Sequence, residues 1–482
     1  MSSGHDLLRG IITPRSYIAI DMKSFYASVE CVARGLDPLK ANLLVADPTR
    51  SDQTICLAVS PALKAIGVPS RPRLFEAKQA IRAYEKRHHT RIFYYTAVPR
   101  MAEYERVSAL IYSILLRYAA PEDVHVYSVD ESFLDCTSYL HLYQKEAEKQ
   151  GVHPAHVMAM TIIRDVLKAT GITATVGIGT NLYLAKVAMD IVAKKKPADK
   201  DGVRIAELNE QSYCYLLWDH VPLTDFWQIG AGKALRLQKS CIYTMGEIAE
   251  KSICDEEYFY KTFGIDGEIL IDHAWGIEPV TMQDIKNYHP EKHSLSNGQV
   301  LPRPYKYAEA RIVFREMVDV LCADMLSKNL VSRVFTWWVS YDYRSLEECP
   351  NYEGPLVLDF YGRLHPKHSN GTIRFPDRTN SVTIITAAML QQFDKKTDHR
   401  LLYRRIGVNA DHTMTDNGAF QLNLFTDYDA LDKERRIQGA MLAIRRKYGA
   451  NALLKGTNLL EGATTIERNS QIGGHRAEGL EL

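Results

Sequence analysis

Three acidic residues carry the first suggestion of chemistry. Asp21 ends the apolar, β-prone run Tyr17-Ile18-Ala19-Ile20, and Asp130-Glu131 interrupts a stretch from Val124 to Asp135 that otherwise reads as a β hairpin. Neighbouring residues of a strand point to opposite faces, but at a hairpin tip that restriction relaxes, and both carboxylates can turn toward a third on an adjacent strand. Carboxylates gathered in this way repel one another unless cations neutralise them. Hard oxygen ligands of this kind suit two Mg²⁺ ions that also hold substrate phosphates. The alternative on these residues alone is a polar hairpin turn carrying solvated acids.

Such acids need a sheet to hold them. Short apolar runs at 43–46, 54–59, 92–95, 124–129, 132–136 and 173–177 read as strands, and helical spacing marks 75–87, 100–118, 154–169 and 181–194. Strands and helices alternate with two strands adjacent around residue 130, which predicts an α+β sheet domain of ferredoxin-like character. After Pro197 come short helices with glycine breaks, 226–241 and 244–250, a small helical module. From about 291 a polar stretch leads to a long amphipathic helix, 307–328. Then follow β-prone runs at 333–343, 355–361, 372–375 and 402–408 and a helix near 380–393, which describe a second α+β domain. From Asp411 on, polar segments surround an apolar cluster at 421–425 and a helix at 431–447, predicting a partly flexible tail.

Composition narrows the classes. A length of 482 residues with 46% hydrophobic content allows about three domains, and 24% charged residues in near balance exclude a disordered or collagenous chain. The chain has no run of about 18 uncharged apolar residues and its start, MSSGHDLLRG, lacks a signal-peptide core, so a cytosolic protein without membrane attachment is expected. The eight cysteines form no CxxC and read as reduced, small core residues. Gly177 and Gly179 lack the third glycine of a dinucleotide fingerprint, and no Walker A sequence occurs.

The string Ala19-Ile20-Asp21-Met22-Lys23-Ser24-Phe25-Tyr26-Ala27-Ser28-Val29-Glu30 resembles the first acidic motif of Y-family translesion DNA polymerases, and Tyr127-Ser128-Val129-Asp130-Glu131-Ser132-Phe133-Leu134-Asp135 resembles the second. Thr175 to Lys186 is similar to the family's glycine-rich strand-to-helix turn, and Lys194-Lys195-Lys196-Pro197 follows as a basic patch. The matches come in family order and look closest to the UmuC-like branch of Gram-positive bacteria, their phages and mobile elements.

The resemblance implies a multidomain α+β, right-hand polymerase. Its parts would be a ferredoxin-like palm (15–24 and 91–203), small fingers (25–90), a helical thumb (204–290), an α+β little finger (293–410) and a C-terminal tail (411–482). It implies two Mg²⁺ ions held by Asp21, Asp130, Glu131 and the Met22 backbone carbonyl. Phe25 and Tyr26 would face the nucleotide, Tyr26 as a steric gate under the sugar; a core tyrosine on an amphipathic helix is the alternative. Lys64 and Lys194 would meet the triphosphate, with Lys195 possible because one residue is inserted. Pro61 departs from the family pattern at a further phosphate contact. Gly230, Gly232 and Lys233 would form a helix-hairpin-helix turn whose amides bind a DNA phosphate. Arg303, Arg311, Arg333, Arg344 and Arg374 are candidate phosphate contacts. Of Trp337 and Trp338, on opposite strand faces, one belongs to a core.

Gln421-Leu422-Asn423-Leu424-Phe425 resembles the linear motif by which bacterial polymerases dock on the sliding clamp, with Gln421, Leu422, Leu424 and Phe425 as its contacts. A strand packed on the little finger is the alternative. The expected partners are primer–template DNA, dNTPs, the clamp and a recombinase or other SOS accessory protein. Competing functions are a nucleotide cyclase or nuclease on a related acidic sheet, and an inactive clamp-bound DNA protein. The net charge of +1 resolves by segment into +6 over 31–92, −6 over 219–290 and +3 over 293–412. That modest basic excess predicts weak, salt-sensitive DNA binding, the regime in which a clamp tether is needed.

Overall fold

The computed structural model describes residues 15–290, 293–359, 361–418 and 427–478. They form two compact units, one reaching to Tyr288 and the other spanning His289–Arg476. Among the described residues no helix is long and apolar enough to cross a membrane.

The strands of the first unit are β1 (Tyr17–Met22), β2 (Leu43–Val45), β3 (Ala58–Val59), β4 (Tyr95–Ala97), β5 (Val124–Val126), β6 (Glu131–Asp135), β7 (Ala174–Gly179) and β8 (Arg204–Leu208). Five of them make one sheet in the order β5-β6-β1-β7-β8. Each neighbouring pair among the first four is antiparallel, in the ferredoxin-like order, and β8 extends the edge parallel to β7. Strand β1 is central and apolar on both faces. Ile18 and Ile20 pack with Met158, Ile162 and Val166 of the helix Pro154–Thr170, while Tyr17 and Ala19 face Leu182, Ala185 and Met189. Burial on both faces explains why the run is continuously apolar until Asp21.

Gly177 and Gly179 serve close packing. A Cβ at either position would overlap the backbone of Ala185, so the helix beginning at Leu182 lies directly on β7. A small sheet, β3-β2-β4, carries its own core of Leu44, Val59, Leu63, Leu74 and Ile81. Short helices between Glu210 and Asn287 gather around Tyr213, Phe226, Ile248 and Phe259.

The second unit is built on β9 (His293–Tyr305), β10 (Leu330–Tyr341), β11 (Leu356–Leu358), β12 (Leu364–Pro366), β13 (Ser369–Thr379) and β14 (Tyr403–Thr415). Its main sheet runs β13-β10-β14-β9, antiparallel throughout. The helices Tyr307–Ser327 and Val382–Lys396 supply the apolar cover, and Phe314, Trp337, Phe393 and Tyr403 meet in the core. Buried Trp337 donates its indole N–H to Gln392 Oε1 at 2.8 Å, whereas Trp338 stays exposed.

Several expectations need correction. The polar stretch after 291 is a thirteen-residue strand, β9, whose sequence alternates polar with half-buried residues and is held by pairing with β14. Residues 204–208, placed at the start of the helical module, are the edge strand β8. The helix expected over 181–194 is α-helical only to Val187, then π over Ala188–Val192 and 3₁₀ over Ala193–Lys195. The tail is packed where it is described. A helix spans Tyr428–Tyr448, and buried Glu316 accepts hydrogen bonds from Asn458 Nδ2 (3.0 Å), Thr464 N (2.8 Å) and Thr465 N (3.3 Å). A buried carboxylate needs such donors, so this segment is tied to the second unit by polar groups that hydrophobic patterning does not register. Of the cysteines, Cys241 and Cys254 are exposed rather than in a core.

Candidate active site

The strand register brings the acids together. On β1, Asp21 lies opposite Glu131 of β6 on one side and Thr175 of β7 on the other. The Met22 amide donates to the Asp130 carbonyl at 2.9 Å, so the hairpin tip sits beside the end of β1. Ser128 shapes that tip. Its hydroxyl donates to Asp130 Oδ1 at 2.8 Å and accepts from the Glu131 amide at 3.1 Å. The amides of Tyr127 and Ser128 close the turn on the Glu131 carbonyl.

Lysines balance the acids. Lys186 Nζ stands 2.6 Å from Glu131 Oε2 and 3.0 Å from Asp190 Oδ2. Lys194 Nζ stands 2.9 Å from Asp190 Oδ1 and 3.4 Å from Asp21 Oδ2. Lys195 turns instead to His220 Nδ1 at 3.4 Å. Burial pushes the Asp21 carboxyl up to about 6, with Lys194 opposing and the Glu131 and Asp130 charges reinforcing the rise. Lys64 donates to Ser24 Oγ at 2.9 Å, its pKa lowered by burial while Asp21 acts to raise it. Lys23 belongs to the same neighbourhood, its pKa lowered by burial and by the charges of Arg204, Lys64 and Lys194. The end of β1 is thus an acidic centre bordered by cations, an arrangement that suits an anionic ligand bridged to the acids by metal.

Tyr26 follows on the helix Phe25–Ala33, whose first residue, Phe25, is buried. The Tyr26 ring stacks on Tyr104 with centroids 4.5 Å apart and planes 21° from parallel. Tyr104 is fixed from behind. Its hydroxyl donates to Glu30 Oε1 at 2.8 Å, and Glu30, fully buried, is held by Arg100 (Nε to Oε1, 2.9 Å) and by Arg34. A paired and hydrogen-bonded buried carboxylate makes a rigid support, so the Tyr26 ring is positioned rather than loose.

Other expected residues fare differently. Gly230 caps the eight-residue helix Ala231–Gln238 and Gly232 lies in its first turn; a Cβ at either would meet nothing, so that helix end is open. The first arm of the hairpin is only a 3₁₀ turn, Leu223–Asp225, and Lys233 is paired with Asp266 at 3.0 Å. In the second unit Arg303, Arg311 and Arg344 are engaged by Glu309, Asp394 and Asp342. Arg333 and Arg374 are exposed; Arg374 pairs across from Val334, in the register that puts Thr372 opposite Thr336 and Asn370 opposite Trp338. Gln421, Leu422, Leu424 and Phe425 lie outside the described residues.

Sequence reasoning assigned no role to Ser128, Lys186, Asp190, Lys23, Glu30 or Tyr104. The usable signal was the four-residue spacing Lys186, Asp190, Lys194, which brings side chains together on a helix. Among the described residues no three His, Cys, Asp or Glu side chains stand together at metal-binding spacing; Lys186 and Lys194 are the near neighbours of Glu131 and Asp21. The candidate donors still fit a hard divalent ion: they are all oxygen, three carboxylates and a backbone carbonyl, and the Glu131 and Asp130 charges acting on Asp21 favour a cation among them.

Residues 20–190 match the impB/mucB/samB family and 292–424 match its C-terminal domain. A UV-damage repair protein named UvrX from Bacillus subtilis (strain 168) is 30% identical, covering 96% of this chain and 98% of its own. The same organism's DNA polymerase IV 2 is 28% identical over 95% of this chain and 97% of its own. Among solved structures, a Y-family DNA polymerase chimera of Dbh and Dpo4 shares the fold with a TM-score of 0.56 at 20% identity, covering 83% of this chain and 99% of that one. The chain belongs to the impB/mucB/samB family, the UmuC-like Y-family DNA polymerases.

Proposed function

We propose that this chain is a DNA-directed DNA polymerase that carries out low-fidelity synthesis across damaged template. Its family works on primer–template DNA and dNTPs and depends on a divalent metal. The observation that carries the reading is the pairing of Asp21 with Glu131, with Asp130 at the adjoining hairpin tip and lysines at the rim.

Asp21, Asp130, Glu131 and the Met22 carbonyl would hold two Mg²⁺ ions. When bound, these ions lower the pKa of the primer 3′-hydroxyl and neutralise charge on the triphosphate and leaving pyrophosphate. The protein's own groups do the rest. Lys194 and Lys64 offer point charges to the triphosphate; neither provides the two-pronged grip of an arginine. Tyr26, braced on Tyr104, blocks the volume beneath the sugar and excludes a 2′-hydroxyl. The amides at the Gly230–Gly232 helix end hold a DNA phosphate without reading sequence. Gln421, Leu422, Leu424 and Phe425 dock on the sliding clamp and raise the local concentration of a weakly gripping enzyme. Action with a recombinase or other SOS accessory protein, in the cytoplasm, completes the reading.

The test is primer extension by Asp130→Ala. Extension is lost while primer–template affinity stays within about threefold, since the change removes a charge rather than a DNA contact. Retained extension refutes the assignment.

A further inference from the structure

Asp190 belongs to none of the motifs that mark the acidic centre, yet it uses both carboxylate oxygens there. Oδ2 holds Lys186 at 3.0 Å and Oδ1 holds Lys194 at 2.9 Å. Each lysine then reaches a different acid, Lys186 to Glu131 at 2.6 Å and Lys194 to Asp21 at 3.4 Å. One carboxylate therefore sets the direction of two ammonium groups.

The backbone is shaped for this. Lys186 and Lys194 are eight residues apart, whereas two turns of α-helix take about 7.2 residues, so an unbroken helix would carry Lys194 about 80° round from Lys186. The π turn Ala188–Val192 lies between them and contains Asp190. A π turn absorbs one extra residue, and such turns gather at functional sites. With that residue absorbed, the eight-residue interval acts as seven, close to two full turns, and the two lysines and Asp190 share the face toward β1 and β6. Lys195, one step on, points away to His220. Close packing on β7, where Gly177 leaves no room beside Ala185 and Met189, keeps this segment from rotating.

We propose that Asp190 is a positioning residue for nucleotide binding. It holds the Lys194 ammonium at the site before a nucleotide arrives, and the π turn brings Lys194 onto the same face as Lys186. The incoming triphosphate then takes over the side of Lys194 that faces Asp21, while Asp190 keeps its hold on the other. A lysine on a four-carbon stem is otherwise free to sample many rotamers, so the anchor is worth most in the affinity for dNTP. This inference rests on the reading of Lys194 as a triphosphate contact.

The experiment uses the full chain on a primer–template ended with a dideoxynucleotide, so that dNTP binding is read without chemistry, together with steady-state KM and kcat on an extendable primer. Asp190→Asn weakens dNTP binding and raises KM by about tenfold with a smaller change in kcat, and Asp190→Glu, which keeps the charge, recovers most of the affinity. In the Lys194→Met background, Asp190→Asn adds less than about twofold, because the two side chains act as one unit. Unchanged dNTP affinity in Asp190→Asn overturns the inference. So does an equal loss in the presence and absence of Lys194, or failure of Glu to recover affinity while DNA binding is intact. If Lys194→Met alone leaves KM unchanged, the reading of Lys194 falls, and the role of Asp190 through it falls too.

Discussion

Replacing Asp21 with Asn raises the stability of the metal-free protein while abolishing synthesis. Burial is the main reason that the Asp21 carboxyl titrates near 6 instead of its ordinary 3.8. The folded state disfavours the ionised form of this acid, so the penalty is full above about pH 6, shrinks as pH falls, and vanishes below 3.8, where both states are protonated. The difference corresponds to about 3 kcal/mol at about 1.4 kcal/mol per unit. The attraction of Lys194 is already contained in that shift, and screening by solvent at this partly open site leaves about 2–3 kcal/mol. For a unit of this size that is a rise in Tm of about 3–5 °C. Thermal unfolding of the full chain in EDTA, from pH 4 to pH 8, reads it directly. The gain is largest at pH 7–8 and closes toward pH 4; adding Mg²⁺ narrows it, because only the wild type keeps an ionic ligand at this position. A lower or equal Tm at pH 7.5, or a gain that ignores pH, refutes the reasoning.

Two further outcomes follow from the site and the tail. Tyr26→Ala incorporates ribonucleotides at least about tenfold more readily relative to dNTPs, as expected when a fixed clash is removed; unchanged sugar selection in a ribonucleotide incorporation assay refutes the gate. Deleting Leu424 and Phe425 abolishes stimulation by the sliding clamp and spares distributive synthesis, measured on primed templates with and without clamp; equal loss of both assigns the segment to structure instead.

The acids were legible because each combined a local rule with a violation of it. Asp21 ends a strand buried on both faces, and Asp130-Glu131 breaks an alternating hairpin; burial makes such exceptions rare unless they have a use. The strand-to-helix turn at Gly177 was legible as a motif. Its reason, helix backbone lying on strand backbone, is a feature of tertiary packing. Strand β9 was missed because its residues are mostly polar and its hydrogen bonds are made with β14, more than a hundred residues away. The packing of residues 458–465 on Glu316 was not legible for a similar cause: Asn458 and Thr464 donate to Glu316, and no periodicity announces a buried polar cluster.

By itself the sequence supplied the candidates: three carboxylates placed by strand patterning, and Tyr26, Lys64 and Lys194 through the resemblance of their motifs to a family. Local spacing placed only the acids, since strand alternation and its relaxation at a hairpin tip fix where neighbouring side chains point. The tertiary structure alone decided which groups meet. It turned Lys194 to Asp21 and Lys195 to His220, set Tyr26 on Tyr104 with Glu30 buried behind, and drew Lys186 to Glu131 and Asp190. These contacts join residues up to a hundred or more apart, or depend on one residue of helical phase, and both are set by packing that no local pattern encodes.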